Sequence, residues 1–134
     1  MEIKVSTKNG RVPVTIMHVD GSIDTATSNL LQKKAEELIE GGARFMLVDL
    51  SRCPYMSSAS FRALHIIFKK LNSVHPDATL GEKDITQGIN DGTYKSPYLK
   101  LANMSNETKT VFKTGGFDMF LELYDDMKEA VAAF

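Results

Sequence analysis

The chain has 134 residues, of which 43% are hydrophobic and 25% are charged, and its formal net charge is −1. These values fit one globular domain with a buried core, and they give no electrostatic basis for binding nucleic acid or an anionic membrane. The N-terminus lacks the apolar core of a signal peptide, no apolar run reaches the roughly 18 residues of a spanning helix, and the single cysteine, Cys53, excludes an internal disulfide. We therefore expect a cytoplasmic monomer or weak dimer with no nucleic-acid partner and no direct membrane insertion.

The first two predicted strands form a hairpin. They cover residues 3–5 and 12–19, and the Asn9-Gly10 pair between them favours a two-residue turn. Proline donates no hydrogen bond to a sheet, so Pro13 predicts a strand beginning or an edge strand at this point.

The first predicted helix runs over residues 27–40, after N-cap candidates at 24–27. Its buried face consists of Leu31, Ala35 and Leu38. Two glycines at 41 and 42 end the helix, because glycine adopts the left-handed conformation after a helix without steric cost.

A near-continuous apolar strand over residues 44–50 predicts a central position in the sheet. The second helix covers 58–72, and its apolar residues follow the i, i+3, i+7, i+10 spacing of one helical face: Phe61, Leu64, Phe68 and Leu71. Residues 73–97 are rich in glycine, proline and asparagine, which predicts a long loop or insertion containing a short helix or hairpin.

The C-terminal part predicts two further strand–helix pairs. A strand at 98–102 precedes a helix at 106–113, which Ser105 caps and which buries Val111 and Phe112. A strand at 120–124 precedes a last helix with an acidic start, whose apolar side carries Met127, Ala130, Val131 and Phe134. We therefore predict one α/β domain over residues 1–134, with a mixed, mostly parallel sheet of 4–5 strands flanked by about four helices.

The residues give little support for catalysis. The three histidines, His18, His65 and His75, are far apart in the sequence, and Cys53 has no partner at metal-ligand spacing. There is no phosphate-binding glycine motif, and the serines lack the Gly-x-Ser-x-Gly context of a hydrolase. We expect no enzymatic activity, no metal and no cofactor, and we interpret His18 as a packing or surface residue within a strand.

The most informative stretch is Cys-Pro-Tyr-Met-Ser-Ser-Ala-Ser-Phe at residues 53–61, between the central strand and the second helix. The first N–H groups of a helix lack partners within the helix, and the helix dipole is positive at this end. Three serines at this position therefore suit a carboxylate, an anion or a phosphoryl group. The residue pattern leaves two interpretations open: the serines cap the helix, or they form a site.

Four segments, in order, resemble those of the STAS domain family, which includes bacterial anti-sigma factor antagonists and domains of sulfate transporters. Residues 21–24 resemble the Gly-x-(Leu/Ile)-Asp segment before the first helix, and residues 48–51 with 55–59 resemble the family strand and signature turn. Residues 111–117 are similar to a late Val-Phe-x-x-Thr-Gly segment, and the acidic start of the last helix also fits. The resemblance covers nearly the whole chain and implies the STAS fold.

The resemblance also implies a function. In phosphorylation-regulated members an anti-sigma kinase modifies the first serine of an Asp-Ser-(Ser/Thr)-Gly turn and then releases the antagonist, and that serine corresponds to Ser58. The implied function is a non-enzymatic protein-interaction switch that binds an anti-sigma factor with serine kinase activity. The implied partner-binding residues are Gly21, Asp24, Thr25, Ser57, Ser58, Ala59, Ser60 and Arg62.

The chain departs from this turn at two positions: Ser57 stands in place of the aspartate and Ser60 in place of the glycine. These departures favour an alternative in which the domain is never phosphorylated and serves as a scaffold or as a regulatory subunit of a transporter. A second alternative is a module that binds a small ligand, such as a nucleotide or a lipid, at the positive end of the helix.

Overall fold

The computed structural model describes residues 2–74, 97–117 and 121–134. In these ranges strands and helices alternate after an N-terminal hairpin, in the order that the sequence predicts. The elements are β1 (Glu2–Asn9), β2 (Pro13–Asp20), α1 (Ser28–Glu40), β3 (Met46–Arg52), α2 (Ser58–Val74), β4 (Leu99–Ala102), α3 (Asn106–Thr114), β5 (Glu122–Tyr124) and α4 (Met127–Ala132). None of the helices in these ranges is long and apolar enough to cross a bilayer.

The strands form one sheet in the order β1-β2-β3-β4-β5. β1 and β2 are antiparallel, whereas β2 to β5 are parallel to one another. The predicted mixed, mostly parallel sheet is confirmed, with β3 at its centre. Its first five residues are all buried, as the continuous apolar sequence predicts.

The predicted two-residue hairpin turn is wrong. Asn9 pairs with Pro13, so three residues connect the strands. Gly10 serves a different purpose from the one its Asn-Gly sequence indicates, because a Cβ atom there would lie 3.1 Å from Cγ1 and from the carbonyl oxygen of Val131. The close approach of α4, rather than a tight turn, favours a residue without a side chain at this position.

One face of the sheet packs against α1 and α2. All four predicted apolar residues of α2 are buried there, and α2 extends two residues beyond its predicted end, to Val74. In α1 the buried positions are Leu31, Ala35 and Ile39, whereas Leu38 is half-buried, so the last predicted core position was misplaced by one residue. Ile39, at i+4 from Ala35, points at the sheet more directly than Leu38 does.

On the opposite face, the described residues that pack against the sheet come from α4 and the chain end after it. Ala130 of α4 is buried against Val14, Ile16, Leu47 and Ala102, and the partly buried residues Met127, Val131 and Phe134 surround it. Because side chains alternate along a strand, the next outward positions on this face are His18 of β2 and Asp49 of β3. These two residues therefore lie at the ends of the strands, beyond the cluster around Ala130.

The helix caps confirm two predictions. Ser105 Oγ accepts a hydrogen bond from Thr108 N at the start of α3, and the Asp126 carboxylate accepts one from Lys128 N at the start of α4. Val111 was predicted to be buried, but 50% of it is exposed, and Phe112 alone turns to the core. Of the predicted 73–97 loop, residues 73 and 74 belong to α2 and 75–96 lie outside the described residues.

Candidate functional site

Backbone hydrogen bonds join the loop after β2 to the loop after β3. Gly21 N donates to Arg52 O (3.0 Å), Ile23 N donates to Tyr55 O (2.9 Å), and Ser57 N donates to Ile23 O (2.9 Å). Gly21 begins the first loop with a φ of 114°, a conformation that glycine adopts without strain. Residues 21–25 and 55–62 therefore form one continuous structure, which we call the two-loop surface.

Asp24 and Thr27 form a reciprocal turn before α1. The Asp24 carboxylate accepts hydrogen bonds from Thr27 N (2.8 Å) and Thr27 Oγ1 (3.0 Å), and Asp24 N donates to Thr27 Oγ1 (2.8 Å). The hydrogen bond from the Thr27 backbone, followed by that from its side chain, holds the pKa of Asp24 below its ordinary value. Asp24 is therefore an exposed, ionised carboxylate in a fixed position, and Thr25 beside it is also exposed.

The three serines of the second loop have different environments. Ser58, the first residue of α2, is exposed, whereas Ser60 is fully buried and its hydroxyl donates to the carbonyl oxygen of Ser57. Ser57 Oγ is buried and has no hydrogen-bond partner among the residues that the structure describes, so it does not cap α2. Among the three serines of the second loop, Ser58 is thus the one whose hydroxyl a partner can reach.

Arg62 is exposed and follows Ser58 by one helical turn. Residues at i and i+4 lie on the same face of a helix, so the guanidinium can reach a group attached to Ser58. Ala59 is half-buried between the exposed Ser58 and the buried Ser60. The two-loop surface thus presents the Ser58 hydroxyl, the Asp24 carboxylate and the Arg62 guanidinium on two adjoining segments.

Sequence reasoning did not assign Tyr55 to the site, although 58% of this aromatic residue is exposed. The backbone carbonyl oxygen of Tyr55 accepts two hydrogen bonds, one from Ile23 N (2.9 Å) and one from the Cys53 thiol (3.3 Å). Exposed tyrosines are frequent anchors of protein interfaces because they supply large contact area with little conformational freedom to lose. The sequence feature that could have indicated this role is the presence of an aromatic residue, between Pro54 and Met56, in a predicted loop.

The chain is thus an α/β domain with a mixed five-stranded sheet, and its second helix begins at an ordered pair of loops. The family model named STAS domain matches residues 4–76, which is more than half of the 134 residues and includes the whole two-loop surface. The chain belongs to the STAS domain family.

Three solved structures share the fold. A Thermotoga maritima protein provisionally described as an anti-sigma factor antagonist has a TM-score of 0.70 at 16% identity, covering 96% of this chain and 90% of that chain. An anti-sigma factor antagonist from Mycobacterium paratuberculosis has a TM-score of 0.67 at 17% identity, covering 98% and 93%. The Bacillus cell fate determinant SpoIIAA in its phosphorylated form has a TM-score of 0.61 at 13% identity, covering 97% and 96%. The search of curated proteins found no match.

The different environments of Ser57 and Ser60 predict opposite effects of alanine substitution. Ser57→Ala removes a buried hydroxyl that has no partner in the described part of the chain, and it should leave stability unchanged or raise it by up to about 1 kcal/mol. Ser60→Ala removes a buried hydrogen bond to the Ser57 carbonyl and should cost about 1 kcal/mol. Urea unfolding of both variants measures the difference, and equal losses in both would contradict this assignment.

Proposed function

We propose that this STAS domain is a non-enzymatic protein-interaction switch of the anti-sigma factor antagonist type. It binds an anti-sigma factor with serine kinase activity through the two-loop surface, and phosphorylation of Ser58 releases that partner. The observation that carries the proposal is the exposed Ser58 hydroxyl at the first residue of α2, held beside the Asp24 loop.

The position of Ser58 explains how a phosphate can act on binding without unfolding the domain. A phosphoryl group adds about −1.5 to −2 charges, which the positive end of the α2 dipole and Arg62 tolerate. The same charge placed in a desolvated interface, with the Asp24 carboxylate on the adjoining loop, disfavours the complex. SpoIIAA, which shares this fold, is described in a phosphorylated form, and this supports the proposal by analogy of fold.

The residues proposed to contact the partner are the exposed or half-buried ones of the surface. They are Gly21, Asp24, Thr25, Ser57, Ser58, Ala59 and Arg62. Tyr55 joins them as an apolar anchor. Ser60, which the family resemblance assigned to the same set, is fully buried, and its proposed role is to support the turn from within.

The test combines phosphorylation and binding. The protein is incubated with ATP and the anti-sigma-type serine kinase encoded nearest to its gene, and the phosphorylated residue is located by peptide mass spectrometry. We expect phosphate on Ser58 in the parent protein and in Ser73→Ala, a control for another exposed serine of the same helix, and none in Ser58→Ala. Ser58→Asp should weaken binding to the kinase by at least about tenfold in calorimetry, which corresponds to roughly 1.4 kcal/mol. Absence of phosphate on Ser58, together with unchanged binding by Ser58→Asp, would overturn the proposal.

A second candidate is a STAS module that binds its partner without phosphorylation, as a scaffold or as a regulatory subunit of a transporter. The serine at position 57 favours it, because phosphorylated family members carry a carboxylate there, whereas this chain has a buried hydroxyl that no described residue pairs with. Affinity purification that recovers transporter subunits rather than a kinase would support this candidate. Binding of a nucleotide or lipid at the same place would instead raise the melting temperature in the presence of that ligand.

A further inference from the structure

Three side chains from adjacent strands form a hydrogen-bonded chain on the face of the sheet against which α4 packs. His18 Nδ1 lies 2.8 Å from Asp49 Oδ2, and His18 Nε2 lies 2.8 Å from Ser6 Oγ. His18 and Asp49 are direct neighbours in the parallel pairing of β2 and β3, and Ser6 comes from β1. The pairing of the three strands therefore holds a hydroxyl, an imidazole and a carboxylate in a row across the sheet.

Asp49 is held in its ionised form. It is only 9% exposed, and its Oδ1 also accepts hydrogen bonds from Ser51 N (3.1 Å) and from Asn103 Nδ2 (3.3 Å). Burial is the largest influence and would raise the pKa of Asp49, but the hydrogen bonds from His18, Ser51 and Asn103 together lower it below its ordinary value. The carboxylate can therefore only accept hydrogen bonds at neutral pH.

This carboxylate determines the tautomer of the imidazole. Since Asp49 accepts, Nδ1 of His18 carries the proton, and in the neutral ring Nε2 is left with a lone pair. Ser6 Oγ then donates its proton to Nε2. This is the arrangement of a serine with a general base that is oriented by a third group.

Asn103 supports the arrangement from the loop after β4. Its φ of 62° lies in the left-handed region, which residues other than glycine seldom occupy. Its backbone N also donates to Tyr124 O (2.8 Å), so both its main chain and its amide are fixed. Asparagine adopts this conformation more readily than most residues other than glycine, so Asn103 can hold the Asp49 carboxylate without appreciable strain.

A groove of about 380 Å³ adjoins His18 and Asp49. Its lining includes Lys4, which pairs with His18 across the hairpin, and Arg52, whose guanidinium lies 3.6 Å from the Asp20 carboxylate. The lining also includes the carboxylates of Asp20 and Asp49, so the groove presents both cationic and anionic groups beside the imidazole. Ser6 itself is exposed and accessible from solvent.

We propose that Ser6 is a reactive serine that His18 and Asp49 activate for acylation by activated carboxylic esters. In this step Ser6 Oγ attacks the carbonyl carbon while its proton passes to His18 Nε2. The bond between the carbonyl carbon and the leaving oxygen or sulfur then breaks, and the leaving group takes the proton from Nε2. The products are an acyl ester on Ser6 and a free alcohol or thiol. The reaction is one modification per chain, on the face of the sheet opposite to α1 and α2, and it is separate from the proposed switch at Ser58.

An aryl ester tests this site. The full chain is treated with p-nitrophenyl acetate, p-nitrophenol release is followed by absorbance, and the acetylated residues are located by peptide mass spectrometry. Hydroxylamine separates the products, because it cleaves an ester on serine and leaves an amide on lysine intact. We expect a hydroxylamine-labile acetyl group on Ser6 that is absent in Ser6→Ala and unchanged in Thr7→Ala, the neighbouring hydroxyl on the other face of β1.

Two variants show whether Ser6 reacts because His18 and Asp49 activate it or only because it is exposed to solvent. His18→Gln keeps a side chain that can hydrogen-bond to both neighbours but cannot take a proton, and it should slow acetylation of Ser6 by about a hundredfold. Asp49→Asn should slow it comparably, since an amide no longer selects the reactive tautomer. His18 is 38% exposed, so its variant should remain folded, and circular dichroism checks this. No acetyl-Ser6, or acetylation at the parent rate in folded His18→Gln, would overturn the proposal.

Discussion

Phe61→Ala is expected to lower the free energy of unfolding by about 3–5 kcal/mol, because it removes a large buried side chain and leaves a cavity. Phe61 is 2% exposed. Its ring centroid lies 5.0 Å from that of Phe117 and 6.1 Å from that of Phe112 in α3. Phe61 therefore links the first turn of α2, which carries Ser58, to the third helix.

Chemical denaturation of the purified variant measures this loss. Ile66→Ala is the matched control, because Ile66 belongs to the same helix but is 37% exposed. We expect that control to change stability by within about 0.5 kcal/mol. A loss below about 1 kcal/mol in Phe61→Ala would mean that the three phenylalanine rings do not form a close-packed cluster.

Glu122→Ala is expected to cost up to about 3 kcal/mol, because it leaves a buried ammonium without its carboxylate. Lys100 is only 4% exposed, and its Nζ lies 3.4 Å from Glu122 Oε2. The Tyr124 hydroxyl donates to the same oxygen, and burial, followed by the hydrogen bond to Glu122 and nearby negative charge, raises the pKa of Tyr124 to about 12. The Tyr124 hydroxyl also loses its acceptor in this variant.

Two further variants show whether the loss of stability in Glu122→Ala comes from leaving the Lys100 ammonium buried without a carboxylate. Lys100→Met removes the cation but keeps an unbranched side chain against the rings of Tyr124 and Phe134, which lie 5.9 Å and 5.4 Å from Nζ, and it should cost less than Glu122→Ala. Asp125→Ala breaks the more exposed pair with Lys109 and should cost at most about 1 kcal/mol. Thermal unfolding compares all three. A greater loss in Lys100→Met than in Glu122→Ala would show that the ammonium–ring contacts dominate.

Local sequence patterns predicted the elements because their causes are local. The apolar spacing of α2 gave its buried face, and Ser105 and Asp126 cap their helices as their positions before each helix predict. The glycines after α1 and α3 behave as expected, since Gly42 and Gly116 have φ values of 112° and 78°. The continuous apolar residues of β3 also placed it correctly at the sheet centre.

The remaining features depend on contacts between distant segments. The predicted two-residue turn was wrong because the chain at Gly10 packs closely against Val131, a residue more than a hundred positions later in the sequence. Interpreting His18 as a packing or surface histidine overlooked its bonds to Ser6 and Asp49, which only the strand register brings together. Likewise, the three serines at 57, 58 and 60 look equivalent in the sequence, and only the packed structure separates the exposed Ser58 from the buried Ser60.

The hydrogen bonds that join residues 21–23 to 52–57 also have a kinetic consequence. A surface whose backbone is ordered before binding loses little conformational entropy when a partner docks, and no slow rearrangement limits the encounter. A phosphate added to such a rigid surface acts mainly on how long a complex survives rather than on how often one forms. In this protein the pairing of two loops would therefore make the proposed switch a control of residence time.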